Sequence, residues 1–210
     1  MRKQNILHEQ GEYIAEGNGK MIREKSDIIS NIIEMLIEND KFSAKSIIIN
    51  EYPHRIYNVE KRTYTIAQKM EQFIRDGFID RYTGEKLLNP GILKVLSTFF
   101  PDEFPFHPHW KMTETHMAYW ELIPTIDHIY PVAKGGRDDK SNWVTTSMKN
   151  NSIKSNYTID EIHWILYPQG DIKKWDGLSE RFIKLVDNNK ELLKDNYIKS
   201  WYRVSKKLIV

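Results

Sequence analysis

Asp127 and His128 stand side by side in the run IDHIYP, and Asn142, Asn151 and Lys154 follow them in the chain. Carboxylate and amide oxygens are hard donors, so Asp127 and Asn151 suit one divalent cation such as Mg²⁺ or Mn²⁺ that keeps part of its shell for water and phosphate. A neutral imidazole beside such a cation can take a proton from an attacking water, because nearby positive charge disfavours the imidazolium. The Lys154 ammonium can hold a phosphate oxygen as a point charge. A base on the attacking side and a cation on the leaving side make a phosphodiester hydrolase.

Those residues need a frame. Residues 125–130 are β-branched and aromatic around Asp127 and His128, which predicts a strand that Pro131 ends. The stretch KGGRDDKS is turn chemistry, 142–146 reads as a return strand, and 148–156 as a short helix. In this strand, loop, strand, helix order, Asn151 and Lys154 lie three apart and share a helix face. Asn142 opens the return strand, where its side chain can tie the loop back and hold His128 in place. Lys134, Arg137 and Lys140 flank the Gly-Gly loop and could track a DNA backbone, with solvated loop charge as the alternative. His109, with His107 and His116 nearby, could touch phosphate or form a second metal site. Loop histidines of this kind more often make structural hydrogen bonds.

The joint pattern resembles the HNH nuclease motif, the ββα-metal finger: Asp-His, an apolar residue, Pro, a Gly-Gly loop, a central Asn, then a helix with Asn and Lys one turn apart. Here those are Asp127, His128, Pro131, Gly135, Gly136, Asn142, Asn151 and Lys154. The resemblance implies that Asp127 and Asn151 bind metal, that His128 is the general base, that Asn142 orders the loop, and that the substrate is DNA cut to 5′-phosphate and 3′-hydroxyl ends. Many family members carry two Cys pairs around a structural zinc. The matching positions here are Asp80 and Thr83 before Gly84, then Ser147 and Asn150, so no structural zinc is expected. Its stabilising work should pass to aromatic packing by the insertion 99–120 and Trp143.

The elements around the motif are mostly helical, giving an α+β chain built around the finger. Residues 1–20 show no clear period and read as an arm or a weak helix. Helices are expected over 27–39 with Ser26 as N-cap, over 43–51, and over 63–76 with Ile66, Met70, Phe73 and Ile74 as its buried stripe. A hairpin turning at Gly84 follows, then a helix capped by Asn89 and opened by Pro90. Three helices and a hairpin could form a winged-helix DNA reader; an all-helical cap is the plainer reading. Thr158 and Glu161 make a capping-box pair that predicts a helix through 166, with His163 as a packing residue on it. An amphipathic helix with Leu178, Phe182, Leu185 and Val186 on one face precedes a Lys-rich end. The expected organisation is a helical region 1–78, a nuclease core 79–170 and a C-terminal helical extension 171–210.

Composition narrows the class. The chain has 210 residues, room for one large domain or two small ones, and a net charge of +2, so any nucleic-acid surface must be a local patch. It has no cysteine, which removes disulfides, thiolate zinc sites and cysteine nucleophiles. No apolar run approaches the about 20 residues of a membrane span, and the N-terminus lacks a signal-peptide core, so a cytoplasmic protein is expected. Two rivals stay open: a nucleic-acid-binding module that keeps the finger without cutting, and an RNase. Double-strand cutting needs two sites or two visits, with which a homodimer is compatible.

Overall fold

The computed structural model describes residues 24–54 and 62–209; the predicted arm at 1–20 lies outside them. The chain is α+β and mainly helical, with eight α-helices and one two-stranded antiparallel sheet among the described residues. It divides into two compact units at 56/57. No helix among the described residues is long and apolar enough to cross a membrane.

The first unit holds α1 (Lys25–Ile37) and α2 (Lys41–Glu51), which pack through Ile28, Ile32 and Ala44. Ser26 does not cap α1, which starts one residue earlier, at Lys25; the Asp40 side chain caps α2 by accepting from the Ser43 amide.

The second unit begins with α3 (Ile66–Arg75), whose start is fixed by reciprocal bonds between Thr65 and Gln68. Met70 and Phe73 are fully buried, as the predicted stripe requires, while Ile66 and Ile74 pack at its margin. Because α3 packs against the sheet and the C-terminal helix, it belongs to the second unit. The winged-helix alternative therefore loses its third helix to a different unit from the first two. The expected boundaries at 78/79 and 170/171 both fall inside this second unit.

The hairpin forms with Gly84 at φ +77°, and α4 (Pro90–Phe99) starts with Asn89 accepting from the Gly91 amide. The insertion is irregular up to α5 (Ala118–Leu122) and packs around the buried Tyr119, which Phe104, Phe106 and Trp110 surround. Strand β1 (Pro124–His128) pairs with β2 (Trp143–Ser147), with His128 opposite Trp143 and Asp127 opposite Val144. Helix α6 (Met148–Lys154) follows at once, capped by the Ser147 hydroxyl.

The capping box at Thr158 and Glu161 makes its hydrogen bonds, yet the helix stops after a turn. His163 takes φ 54° and is exposed, contrary to the packing role expected, and the chain then extends so that the Tyr167 amide reaches the Arg81 carbonyl. Two further helices close the core: α7 (Ser179–Asn188), burying Phe182, Ile183 and Val186, and α8 (Asn196–Leu208), burying Ile198, Trp201 and Tyr202.

Two fully buried carboxylates tie these elements together. The oxygens of Asp76 accept from Gln72, the Thr145 amide, Arg81 and Gln169. Those of Asp80 accept from the Tyr82 amide at 2.9 Å, Thr146 Oγ1 at 2.9 Å, the Ser147 amide at 2.8 Å and Asn150 Nδ2 at 2.9 Å. The cross-link between the hairpin and the start of α6 is thus a hydrogen-bonded carboxylate. The aromatic cluster of the insertion, which the sequence suggested for this work, packs against Leu88 after the hairpin and Met148 at the start of α6, so it lies beside the same junction, while Trp143 joins the main core.

Candidate functional site

The loop between the strands explains its own glycines. Gly135 has φ +92°, a left-handed value that side chains disfavour. At Gly136 a Cβ would stand 2.0 Å from the Tyr130 carbonyl oxygen. Asn142 then closes the loop: its Oδ1 accepts from the Tyr130 amide at 2.9 Å, and its Nδ2 donates to the carbonyls of Tyr130 at 2.8 Å and Arg137 at 2.7 Å. Two of the bonds hold Tyr130, two residues after His128, and the third holds the far end of the loop.

A cavity of about 390 Å³ opens beside this loop, with Asp127, His128 and Asn151 in its lining together with Arg62 and Tyr64. Asp127 is nearly buried. Its Oδ2 accepts from Tyr82 Oη at 2.7 Å and from Lys154 Nζ at 2.9 Å, while Oδ1 has no partner among the described residues. Asn151 is held through Nδ2, which donates to Thr125 Oγ1 at 3.1 Å and to the Ile126 carbonyl at 3.4 Å; its Oδ1 is likewise without a partner there. Each residue is anchored by one terminal atom and keeps an oxygen to spare on the same cavity, a donor set that fits a hard divalent cation.

The His128 ring is 5 % exposed and contacted at both nitrogens. Nε2 lies 2.8 Å from Asp138 Oδ1, and Nδ1 lies 3.3 Å from Arg62 Nη1. Asp138 Oδ1 also accepts from Tyr64 Oη at 2.6 Å and Trp143 Nε1 at 2.8 Å. Burial opposes ionisation of Asp138, but the hydrogen bonds from Tyr64, His128 and Trp143 prevail and hold its carboxyl below the usual range. Burial, with the Asp138 bond adding to it, pushes the Tyr64 phenol up. Burial with the Asp127 charge does the same at Tyr82, so both remain O–H donors at neutral pH.

Lys154 is not where the sequence reading put it. Its side chain has no exposed surface, and its ammonium donates to the His128 carbonyl at 2.7 Å and to Asp127 Oδ2. A cation so enclosed cannot reach a substrate phosphate; it locks α6 to the end of β1 and orients Asp127. Lys154→Met should therefore lower folding stability by about 3 kcal/mol, the cost of orphaning one member of a buried pair. A chemical-unfolding midpoint unchanged in Lys154→Met would show that this buried pair does not hold the junction.

The loop cations are mostly engaged by carboxylates. Lys134 is paired with Glu161, and that bond, with one from the Thr158 amide, holds the Glu161 carboxyl down to about 2. Lys140 Nζ lies 3.0 Å from Glu71, and Arg137 Nε lies 2.6 Å from Asp139, with the Arg137 side chain 81 % exposed. His109 sits in the insertion, where its amide donates to His107 Nδ1 at 3.1 Å; His116 Nδ1 accepts from the Ala118 amide at 3.2 Å. Those are turn-forming bonds, and none of these histidines lines the cavity.

Sequence reasoning missed Arg62, Tyr64, Tyr82 and Asp138. Asp138 alone carried a local signal, a second acid in the loop already singled out. The other three reach the site from 45 to 66 residues away, and no spacing rule connects them. No protein-family model matches the chain, and no curated protein or solved structure matches it.

Proposed function

We propose that the protein is a metal-dependent endonuclease of the HNH type, hydrolysing phosphodiester bonds in DNA. The observation that carries this reading is the joint presence of Asp127, His128 and Asn151 on one cavity, with Asn142 clamping the loop behind them. Each of these residues belongs to the motif that the sequence resembles.

In this reading Asp127 and Asn151 would hold a divalent ion, which would supply charge stabilisation to the phosphate as it reacts. His128 takes the proton of the attacking water as the new P–O bond forms. The bond from phosphorus to the 3′ oxygen breaks, its electron pair leaves on that oxygen, and a solvent proton completes the 3′ hydroxyl. Arg62 is the cavity guanidinium, and it takes over the role of phosphate cation that the sequence suggested for Lys154. Tyr82 and Lys154 hold Asp127 in place through its other oxygen.

The test is cleavage of supercoiled plasmid by the wild-type chain with Mg²⁺ or Mn²⁺, with EDTA, and with single-stranded RNA as an alternative substrate. Nicking or linearisation that EDTA abolishes is the expected outcome. A plasmid shifted in a gel but never cut would favour a binding module, and cleavage restricted to RNA would reassign the substrate.

A further inference from the structure

We propose that Asp138 is the positioning residue for His128: it accepts the hydrogen on Nε2 and so leaves the Nδ1 lone pair facing the cavity as the base. The inference rests on the nuclease reading above and deepens it, since the motif names the base and an Asn that orders the loop, but not the group that fixes the tautomer of the ring.

The partners dictate where the proton sits. An ionised carboxylate can only accept, so the 2.8 Å contact between Nε2 and Asp138 Oδ1 requires a hydrogen on Nε2. A guanidinium can only donate, so Nδ1, 3.3 Å from Arg62 Nη1, carries a lone pair in the neutral ring; Arg62 occupies it at rest, and it is free for the water proton once the guanidinium turns to the substrate phosphate. The two ends of one imidazole thus face groups of opposite requirement, and a single tautomer satisfies both.

Asp138 is itself held from two further sides. Tyr64 Oη and Trp143 Nε1 both donate to the same oxygen, and the two rings meet edge to face with centroids 5.0 Å apart. The Asn142 amide bonds the carbonyl of Arg137, the residue just before Asp138. A chain of contacts therefore runs from Asn142 through the loop backbone to Asp138 and on to the His128 ring. This gives the loop clamp a purpose beyond loop stability. It also accounts for Trp143 opposite His128 in the sheet register, since that pairing brings the indole N–H to the shared carboxylate. When the ring accepts the water proton at Nδ1, both nitrogens carry hydrogen and the ring is cationic; the carboxylate on Nε2 offsets that charge without taking the proton.

The experiment uses the full chain as wild type, Asp138→Ala and Asp138→Asn. Nitrogen-edited NMR of the imidazoles reports the tautomer without any need for activity. Wild-type His128 should show its hydrogen on Nε2, slow to exchange, and Asp138→Ala should lose that slow exchange. Cleavage at saturating plasmid should fall about 100-fold in Asp138→Ala, with KM for DNA within twofold of wild type, the range seen when a partner behind a catalytic group is removed. Asp138→Asn keeps an acceptor oxygen and should recover about 10-fold of that loss.

A His128 hydrogen found on Nδ1 in the wild type would overturn the assignment. So would full-rate cleavage by Asp138→Ala, or a loss that merely tracks its melting temperature. If the wild type itself cuts no nucleic acid, the nuclease reading fails and takes this role with it; a cutting wild type beside an equally active Asp138→Ala removes Asp138 alone.

Discussion

In the proposed nuclease, replacing His128 with alanine should slow plasmid cleavage by about 10³-fold or more, a barrier increase of about 4 kcal/mol, while DNA binding changes by no more than about twofold. The size follows from the role: removing a general base forfeits the proton transfer in the transition state but no ground-state contact with the nucleic acid. The fold should tolerate the change. The ring is buried, yet Asp138 keeps Tyr64 and Trp143 as donors once the imidazole has gone, and the anchoring bond from Lys154 goes to the His128 backbone carbonyl, which alanine retains. Unchanged cleavage in a folded His128→Ala protein would remove the base from the proposal.

A companion variant separates the base from the ion. Asp127→Asn can still accept from Lys154 and Tyr82 through its amide oxygen, but it places an NH₂ where the spare carboxylate oxygen stood and withdraws the negative charge. Activity should be lost along with the response to added Mg²⁺, whereas His128→Ala should still bind the ion. Isothermal titration of Mn²⁺ into both proteins distinguishes the two losses.

The second large effect concerns stability. Asp80→Ala should lower the unfolding free energy by about 4 kcal/mol, because four donors in a fully buried place lose one charged acceptor. For a chain of this size that corresponds to a fall in melting temperature of about 10 °C. Asp80→Asn should not fully rescue it: whichever way the amide turns, its NH₂ confronts a backbone N–H that can only donate, that of Tyr82 on one side or of Ser147 on the other. The ends of this cross-link are the Tyr82 amide in the hairpin and Ser147 and Asn150 at the start of α6, so its loss should loosen the seat of Asn151 as well. Calorimetry decides the point. A melting temperature within about 2 °C of wild type would mean that aromatic packing carries the junction after all.

Much of the frame could be read from residue order. Residue types and their bounding turns placed β1 and β2 to within two residues, Pro131 and the glycines marked the loop, and Asn89-Pro90 marked the start of α4. These are local signals, set by backbone geometry over a few residues. The helix foreseen after Thr158 shows the limit of that kind of evidence. Its capping bonds form, but cap chemistry can start a turn without supplying the buried face that sustains a helix. The shared core behind α3, β1, β2 and α8 also had no local signature, and the expected boundaries at 78/79 and 170/171 lie within one compact unit.

What the sequence determined by itself was the order of the elements that carry Asp127, His128, Asn142 and Asn151: strand, loop, strand, helix. What the tertiary structure alone decided was each residue's electrostatic neighbourhood. Packing withdrew Lys154 from solvent and set it against Asp127, brought Arg62 and Tyr64 to a histidine more than 60 residues away, and put Asp80 at a junction where the resemblance led one to look for cysteines. The reason is physical: spacing along a chain reports which side chains share a face, whereas burial and partner choice depend on how separate faces close on one another.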